Sequence, residues 1–208
     1  MEHKIIVVGI GPGSPDYILP VASRIIAQAD VLVGSQRALI TFAPKHATVK
    51  VIDRDISGVL TFIATSLSQS DVVVMVSGDP GFYSFLATLK TKFTSECITV
   101  IPGISSMQLA FARITAIWQD ALLISMHGRM ANDNDLKYAP NKKLGILTDY
   151  EQDPKFIAGV LIDHGWPSNA KVWLCANLSY ENEEIKQSTL NEVKMLNGFT
   201  HCVMVVEA

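Results

Sequence analysis

Continuous runs rich in β-branched residues punctuate the first half of the chain at residues 4–9, 31–34, 49–53, 71–77 and 97–101. Such runs lack the alternation of a half-exposed strand. They predict strands covered on both faces, and hence a parallel sheet. Segments with helical spacing lie between and beyond them, at 19–28, 35–42, 58–67, 82–92 and 105–113. In the third of these, Val59, Leu60, Ile63, Ala64 and Leu67 fall on one stripe, the mark of a helix with one buried face. Strand and helix in regular alternation predict βαβ units with right-handed crossovers.

The pattern loosens in the second half. Residues 121–127 and 143–148 read as strands, 132–143 as a polar loop with a short helix, and 154–164 as a helix stopped by Gly165. Residues 170–178 and 184–188, split by a polar break at 179–183, predict an antiparallel hairpin, and 203–207 a closing strand. The expected organisation is an α/β chain of two lobes: residues 1–117 with a parallel sheet and 118–208 with a mixed one.

Composition narrows the function classes. Charged residues are 18% of the 208, below the roughly 25% of an ordinary soluble domain, so much of the chain is buried or offers apolar surface to a partner. The net charge of −3, with no cluster of Lys or Arg, argues against a nucleic-acid partner. No apolar run approaches the roughly 20 residues of a membrane span, and the N-terminus lacks the features of a signal peptide. Cys97, Cys175 and Cys202 are scattered in apolar runs and read as core residues of a cytoplasmic protein. The histidines at 3, 46, 127, 164 and 201 share no ligand spacing, so no protein-bound metal is expected.

Three motifs stand at the carboxyl ends of predicted parallel strands: GIGPG at 9–13, SGDP at 77–80 and PGISS at 102–106. Those ends share one edge of a parallel sheet, where open α/β sheets bind ligands. Gly9, Gly11 and Gly13 permit a sharp turn and close approach of backbone to a ligand, although an ordinary βα turn uses glycine in the same way. Ser14 stands where a dinucleotide fingerprint needs its third glycine, and Pro12 and Pro15 lack the N–H groups a pyrophosphate would use. The second strand ends Gly34-Ser35-Gln36, with no acid for a ribose. The loop therefore suits a ligand without a phosphate. Asp79 is placed either to accept hydrogen bonds from a ligand or to cap a helix beginning near Gly81. Ser105 is either a helix cap or a hydroxyl facing the same edge.

In this order the motifs resemble the tetrapyrrole methylase family. Further similarity lies in VGIGPGSPDYILPVA at 8–22, ADVLVGSQR at 29–37, SGDPGFYS at 77–84, PGISSMQLAFARI at 102–114, WQD at 118–120 and SMHGR at 125–129. The resemblance covers essentially the whole chain. It implies a two-lobed fold, a parallel-sheet lobe followed by a mixed-sheet lobe, with S-adenosylmethionine held in the cleft between them. It implies methyl transfer to C5 of a cobalt-precorrin in cobalamin biosynthesis, with cobalt belonging to the substrate. The chain ends at Ala208, without the C15-methylating domain of some relatives. A stand-alone form is therefore expected, paired in function with a separate C15 methyltransferase and decarboxylase, and a homodimer.

The resemblance also carries residues. Cofactor contacts are expected from Gly11, Pro12, Ser77, Gly78, Asp79, Phe82, Ser105, Ser106, His127, Ala176, Asn177 and Leu178. Ile18-Leu19-Pro20 stands where many relatives have Leu-Leu-Thr, so the threonine hydroxyl is missing. Asp79 and His127 are the candidates for a general base, although either could serve binding alone. Arg129 leads the candidates for a substrate carboxylate because a guanidinium grips one in bidentate fashion; Arg113 and Arg37 follow. The alternatives are a methylase of the family acting at another precorrin carbon, on rRNA ribose or in diphthine formation, a non-catalytic nucleotide- or cofactor-binding module, and a dinucleotide oxidoreductase.

Overall fold

Five short strands, β1 (Ile5–Gly9), β2 (Val31–Gly34), β3 (Thr48–Val51), β4 (Val72–Val76) and β5 (Ile98–Ile101), form a parallel sheet in the order β3-β2-β4-β1-β5. They belong to a computed structural model that describes residues 3–199 and 201–208. The central strands are buried on both faces, as their unbroken apolar runs require. On one face Val7, Val33 and Val74 meet Val59 and Ile63 of α3 (Ile56–Ser66). On the other Val8, Leu32 and Met75 meet Ala22 and Ile26 of α1 (Pro20–Ala27) and Ala38 and Leu39 of α2 (Gln36–Phe42). Each fully buried Val, Ile or Leu contributes about 1.5–3 kcal/mol over its exposed state. The strand order decides where the motifs meet. β4, β1 and β5 lie side by side, so the loops after them are neighbours on the carboxyl edge.

The helix expected at 82–92 is mostly absent. Only α4 (Leu86–Leu89) is helical there. Tyr83 has φ 48°, a left-handed backbone that no helix tolerates, and the Ser84 hydroxyl donates to the Pro80 carbonyl at 2.5 Å. Local turns at Pro80 and Gly81 thus replace the first helical turns.

The chain divides into two compact units, Met1–Ser105 and Ser106–Ala208. The division falls twelve residues before the 117/118 junction expected from sequence. The helix α5 (Ser106–Arg113) belongs with the second sheet, where Gly145 makes room for it. A Cβ at Gly145 would lie 2.6 Å from Met107 Sδ and 3.0 Å from the Phe111 ring.

The second unit holds β6 (Leu122–Ser125), β7 (Lys143–Leu147), β8 (Lys171–Ala176), β9 (Glu184–Thr189) and β10 (Cys202–Glu207), in the order β6-β7-β10-β8-β9. β6 and β7 are parallel; β10 runs antiparallel to both β7 and β8, and β8 antiparallel to β9. The sheet is mixed, as the looser pattern implied. The helices α6 (Asp133–Leu136), α7 (Pro154–Asp163) and α8 (Leu190–Val193) lie between its strands in the chain. Asp153 caps α7, and Thr189 with Glu192 forms a capping box on α8. The strand directions place the carboxyl ends of β6, β7 and β8 and the start of β10 on one edge. That edge carries His127, Asp149, Asn177 and His201.

Candidate functional site

The edge of the first sheet is built from backbone. Gly9, Gly78 and Gly103 touch with no room for a side chain. A Cβ on Gly9 would lie 2.6 Å from the Gly78 carbonyl oxygen and 2.7 Å from the Gly103 nitrogen. A Cβ on Gly103 would lie 2.2 Å from the same oxygen. Gly11 and Gly78 exchange backbone hydrogen bonds, and both have positive φ, 78° and 67°. A side chain on Gly11 would also strike the Tyr17 carbonyl at 2.8 Å. Pro12 lies in this turn, and Ser14 spends its hydroxyl on the Asp16 N–H, opening a single helical turn at Pro15–Tyr17.

Asp79 holds two of the loops together. One carboxylate oxygen accepts the Gly81 N–H at 2.7 Å, and the other accepts the Gly103 N–H at 3.0 Å. The cap expected near Gly81 is therefore a tight turn rather than a helix start, and the second oxygen links SGDP to PGISS. Ser77 is exposed, Gly78 is buried, and Phe82 packs edge-to-face on Tyr83 at 4.9 Å. Ser105 is buried, next to Ser106 at the start of α5. Arg37 lies exposed in the first turn of α2, behind the Ser35 cap.

The edge of the second sheet is built from polar side chains. His127 follows β6, and its Nδ1 lies 3.3 Å from the Thr148 carbonyl. A carbonyl only accepts, so the neutral ring carries its proton on Nδ1 and its basic lone pair on Nε2. Thr148 is itself buried; its hydroxyl donates to the Cys202 carbonyl at 3.0 Å and accepts the Cys202 N–H at 2.9 Å. Asp149 accepts N–H groups from Gln152, Gly128 and Glu151 at 2.7, 2.5 and 2.8 Å. Those bonds hold its carboxyl below the ordinary carboxylate range, the Gln152 and Gly128 bonds foremost, with His127 adding to the effect. The Gly128 bond pins the turn that carries Arg129, which is exposed. The His201 ring centre lies 5.3 Å from that of His127 and 6.2 Å from that of Tyr150.

At the end of β8 and just past it, Ala176 and Leu178 are buried while Asn177 is exposed with φ 49°. Arg113, expected near a substrate carboxylate, pairs through Nε with Glu183 at the end of this loop. Glu183 Oε2 also accepts the Ser179 N–H at 2.7 Å. Sequence reading missed Asp149, His201 and Glu183. Each acts through a partner distant in the chain, and none sits in a glycine-rich motif.

The first edge is made largely of backbone groups, with serine hydroxyls and one carboxylate whose oxygens already accept backbone N–H groups. It suits uncharged hydroxyls, an amine and a heterocycle rather than a polyphosphate. Residues 4–194 match the family of Tetrapyrrole (Corrin/Porphyrin) Methylases. The chain belongs to that family. It is 33% identical over 195 residues to a probable cobalt-precorrin-7 C(5)-methyltransferase of Methanocaldococcus jannaschii, a match spanning 91% of this chain and 90% of that protein. It is 34% identical to the cobalt-precorrin-7 C(5)-methyltransferase of Salmonella typhimurium, over 86% of this chain and 87% of that one. A precorrin-6Y C(5,15)-methyltransferase (decarboxylating) of Sinorhizobium is 31% identical over 77% of this chain, which is 39% of the longer protein. Among solved structures, uroporphyrin-III C-methyl transferase from Thermus thermophilus complexed with S-adenyl homocysteine shares the fold. It has a TM-score of 0.76 at 17% identity, over 98% of this chain and 91% of that chain. This tetrapyrrole methylase is accordingly a methyltransferase.

Proposed function

We propose that the protein transfers a methyl group from S-adenosylmethionine to C5 of cobalt-precorrin-7. The observation that carries the reading is the similarity, across about nine-tenths of both chains, to relatives named for that reaction. The glycine-built edge of the first sheet supports the choice of methyl donor, as does the fold shared with a protein complexed with S-adenyl homocysteine. Gly11, Pro12, Ser77, Gly78, Asp79, Phe82, Ser105 and Ser106 are proposed to contact the donor from the first edge and the start of α5. His127, Ala176, Asn177 and Leu178, in the second unit, are likewise proposed as donor contacts.

The bound donor supplies an electrophilic methyl: its S–C bond breaks as the new C–C bond forms, and a thioether is left. The acceptor is an enamine-like ring carbon and needs little activation. The protein's work is to hold the partners in line, about 3–3.5 Å apart. Asp79 serves this by fixing SGDP against PGISS. Both its oxygens already accept backbone N–H groups, which favours a positioning role over proton removal. His127 is the better candidate to take the ring proton, through Nε2. Arg129 and Arg37 are proposed for the substrate's carboxylates.

Titration calorimetry with S-adenosylhomocysteine, NAD and ATP tests the donor. Binding of S-adenosylhomocysteine alone is expected, and binding of NAD in its place would overturn the reading. We propose further that the protein works in the cytoplasm as a homodimer, alongside a separate enzyme for C15. The Sinorhizobium relative, whose name joins C5 and C15, supports the pairing. The exposed Ile117 and Trp118 and the low charged fraction are consistent with a dimer interface, which light scattering would test.

A further inference from the structure

The loop joining β8 to β9 holds two left-handed residues that are not glycine, Asn177 (φ 49°) and Ser179 (φ 73°). Residues with a Cβ keep such a backbone only where their surroundings hold them in it. Backbone bonds supply part of the restraint: Tyr180 N–H donates to the Asn177 carbonyl and Glu183 N–H to the Tyr180 carbonyl, each at 3.0 Å. The Asn177 amide adds a bond to the Asn182 carbonyl at 3.3 Å.

Glu183 supplies the rest, and ties it to a distant element. One of its oxygens accepts the Ser179 N–H, and the other pairs with Arg113, seventy residues earlier. Arg113 is the last residue of α5, a helix anchored by the buried side chains of Met107, Leu109, Ala110 and Phe111. The guanidinium is thus delivered by a rigid element. The pair is largely shielded, with side-chain exposures of 34% for Arg113 and 20% for Glu183. Its hydrogen bond to Arg113 is the main force holding the Glu183 carboxyl below the ordinary carboxylate range, so it is charged at neutral pH.

We propose that Arg113 and Glu183 are positioning residues that hold residues 177–179, which include the Asn177 and Leu178 proposed above to contact the donor, in their binding conformation before the ligand arrives. The proposal rests on the S-adenosylmethionine reading. It assigns Arg113 to the donor's loop rather than to a substrate carboxylate. An apparent dissociation constant rises in proportion as the competent fraction of the binding state falls. Loosening the loop therefore weakens donor binding and leaves acceptor binding alone.

The test is calorimetry with S-adenosylhomocysteine, joined to steady-state kinetics. Glu183→Gln is expected to raise the dissociation constant about tenfold, with corrinoid KM unchanged. Adding Ser179→Gly to Glu183→Gln is expected to recover most of the loss, because glycine adopts positive φ unaided. Should wild type fail to bind S-adenosylhomocysteine, the donor reading falls on its own evidence. Should wild type bind and a folded Glu183→Gln bind equally well, the positioning role is overturned. If Glu183→Gln does not fold, Arg113→Gln carries the same comparison, with about threefold weaker binding expected. A raised corrinoid KM with unchanged S-adenosylhomocysteine affinity in Arg113→Gln would return that residue to the substrate and overturn the proposal.

Discussion

The two sheet edges are built by opposite means. The first is backbone against backbone, with Gly9, Gly78 and Gly103 in contact and the Asp79 side chain tying two of the loops together. The second is side chain against backbone, with His127 on Thr148, Asp149 on three N–H groups and Glu183 on Ser179. A backbone-built edge fixes shape and tolerates almost no substitution. An edge built from polar side chains can supply charge and a proton acceptor, and its parts can be altered one at a time. The contrast fits the roles proposed for the two edges, donor contacts built on backbone at the first and a side-chain base at the second.

The largest effect should come from breaking the first edge. Gly103→Ala places a methyl 2.2 Å from the Gly78 carbonyl oxygen, against backbone that has no rotamer to yield. It is expected to destabilise the protein by about 3 kcal/mol, at the top of the overpacking range, as read from denaturant titration. A loss under about 1 kcal/mol would mean the loops are looser than their contacts imply.

Asp79→Ala sharpens the comparison by removing the side chain that links SGDP to PGISS. It strands the Gly103 N–H and should cost about 1–3 kcal/mol, together with weaker S-adenosylhomocysteine binding. On the second edge, His127→Ala should lower kcat/KM more than tenfold while leaving the melting temperature nearly unchanged, since the residue is exposed. A variant with wild-type kcat/KM would remove His127 from the reaction.

The smallest effect is one of pH. The folded-state carboxyl of Glu183 is lowered, chiefly by Arg113, so its stabilisation is complete above the unfolded carboxylate range, about pH 4.3, and is lost as pH falls through the lower folded value. The stability gap between wild type and Glu183→Gln should therefore shrink in melts taken from pH 7 down to pH 3. The buried thiols run the other way. Burial pushes Cys175 and Cys202 up to about 12, so neither should react with a thiol reagent at pH 8 until the protein unfolds.

The same contrast explains what was legible in the sequence. The parallel sheet and the meeting of GIGPG, SGDP and PGISS follow from local signals: apolar runs fix the strands, and glycine and proline mark the turns after them. The helix at 82–92 was misread because its apolar spacing hid the turn that Tyr83 takes. Arg113 was legible as a helix-ending cation, whereas its pairing with Glu183 depends on how α5 meets the β8–β9 loop. Asp149 and His201 are brought to one edge by strand directions in the mixed sheet, which apolar patterning does not encode. Family resemblance supplied the expectations for His127 and residues 176–178, where residue spacing alone was silent.

The central claim is most directly tested by following the methyl group. Incubation with S-adenosylmethionine carrying a carbon-13 methyl and cobalt-precorrin-7, followed by NMR of the product, should place the label on C5 of the macrocycle. Label at another ring carbon, or an unlabelled macrocycle from protein that binds S-adenosylhomocysteine, would contradict it.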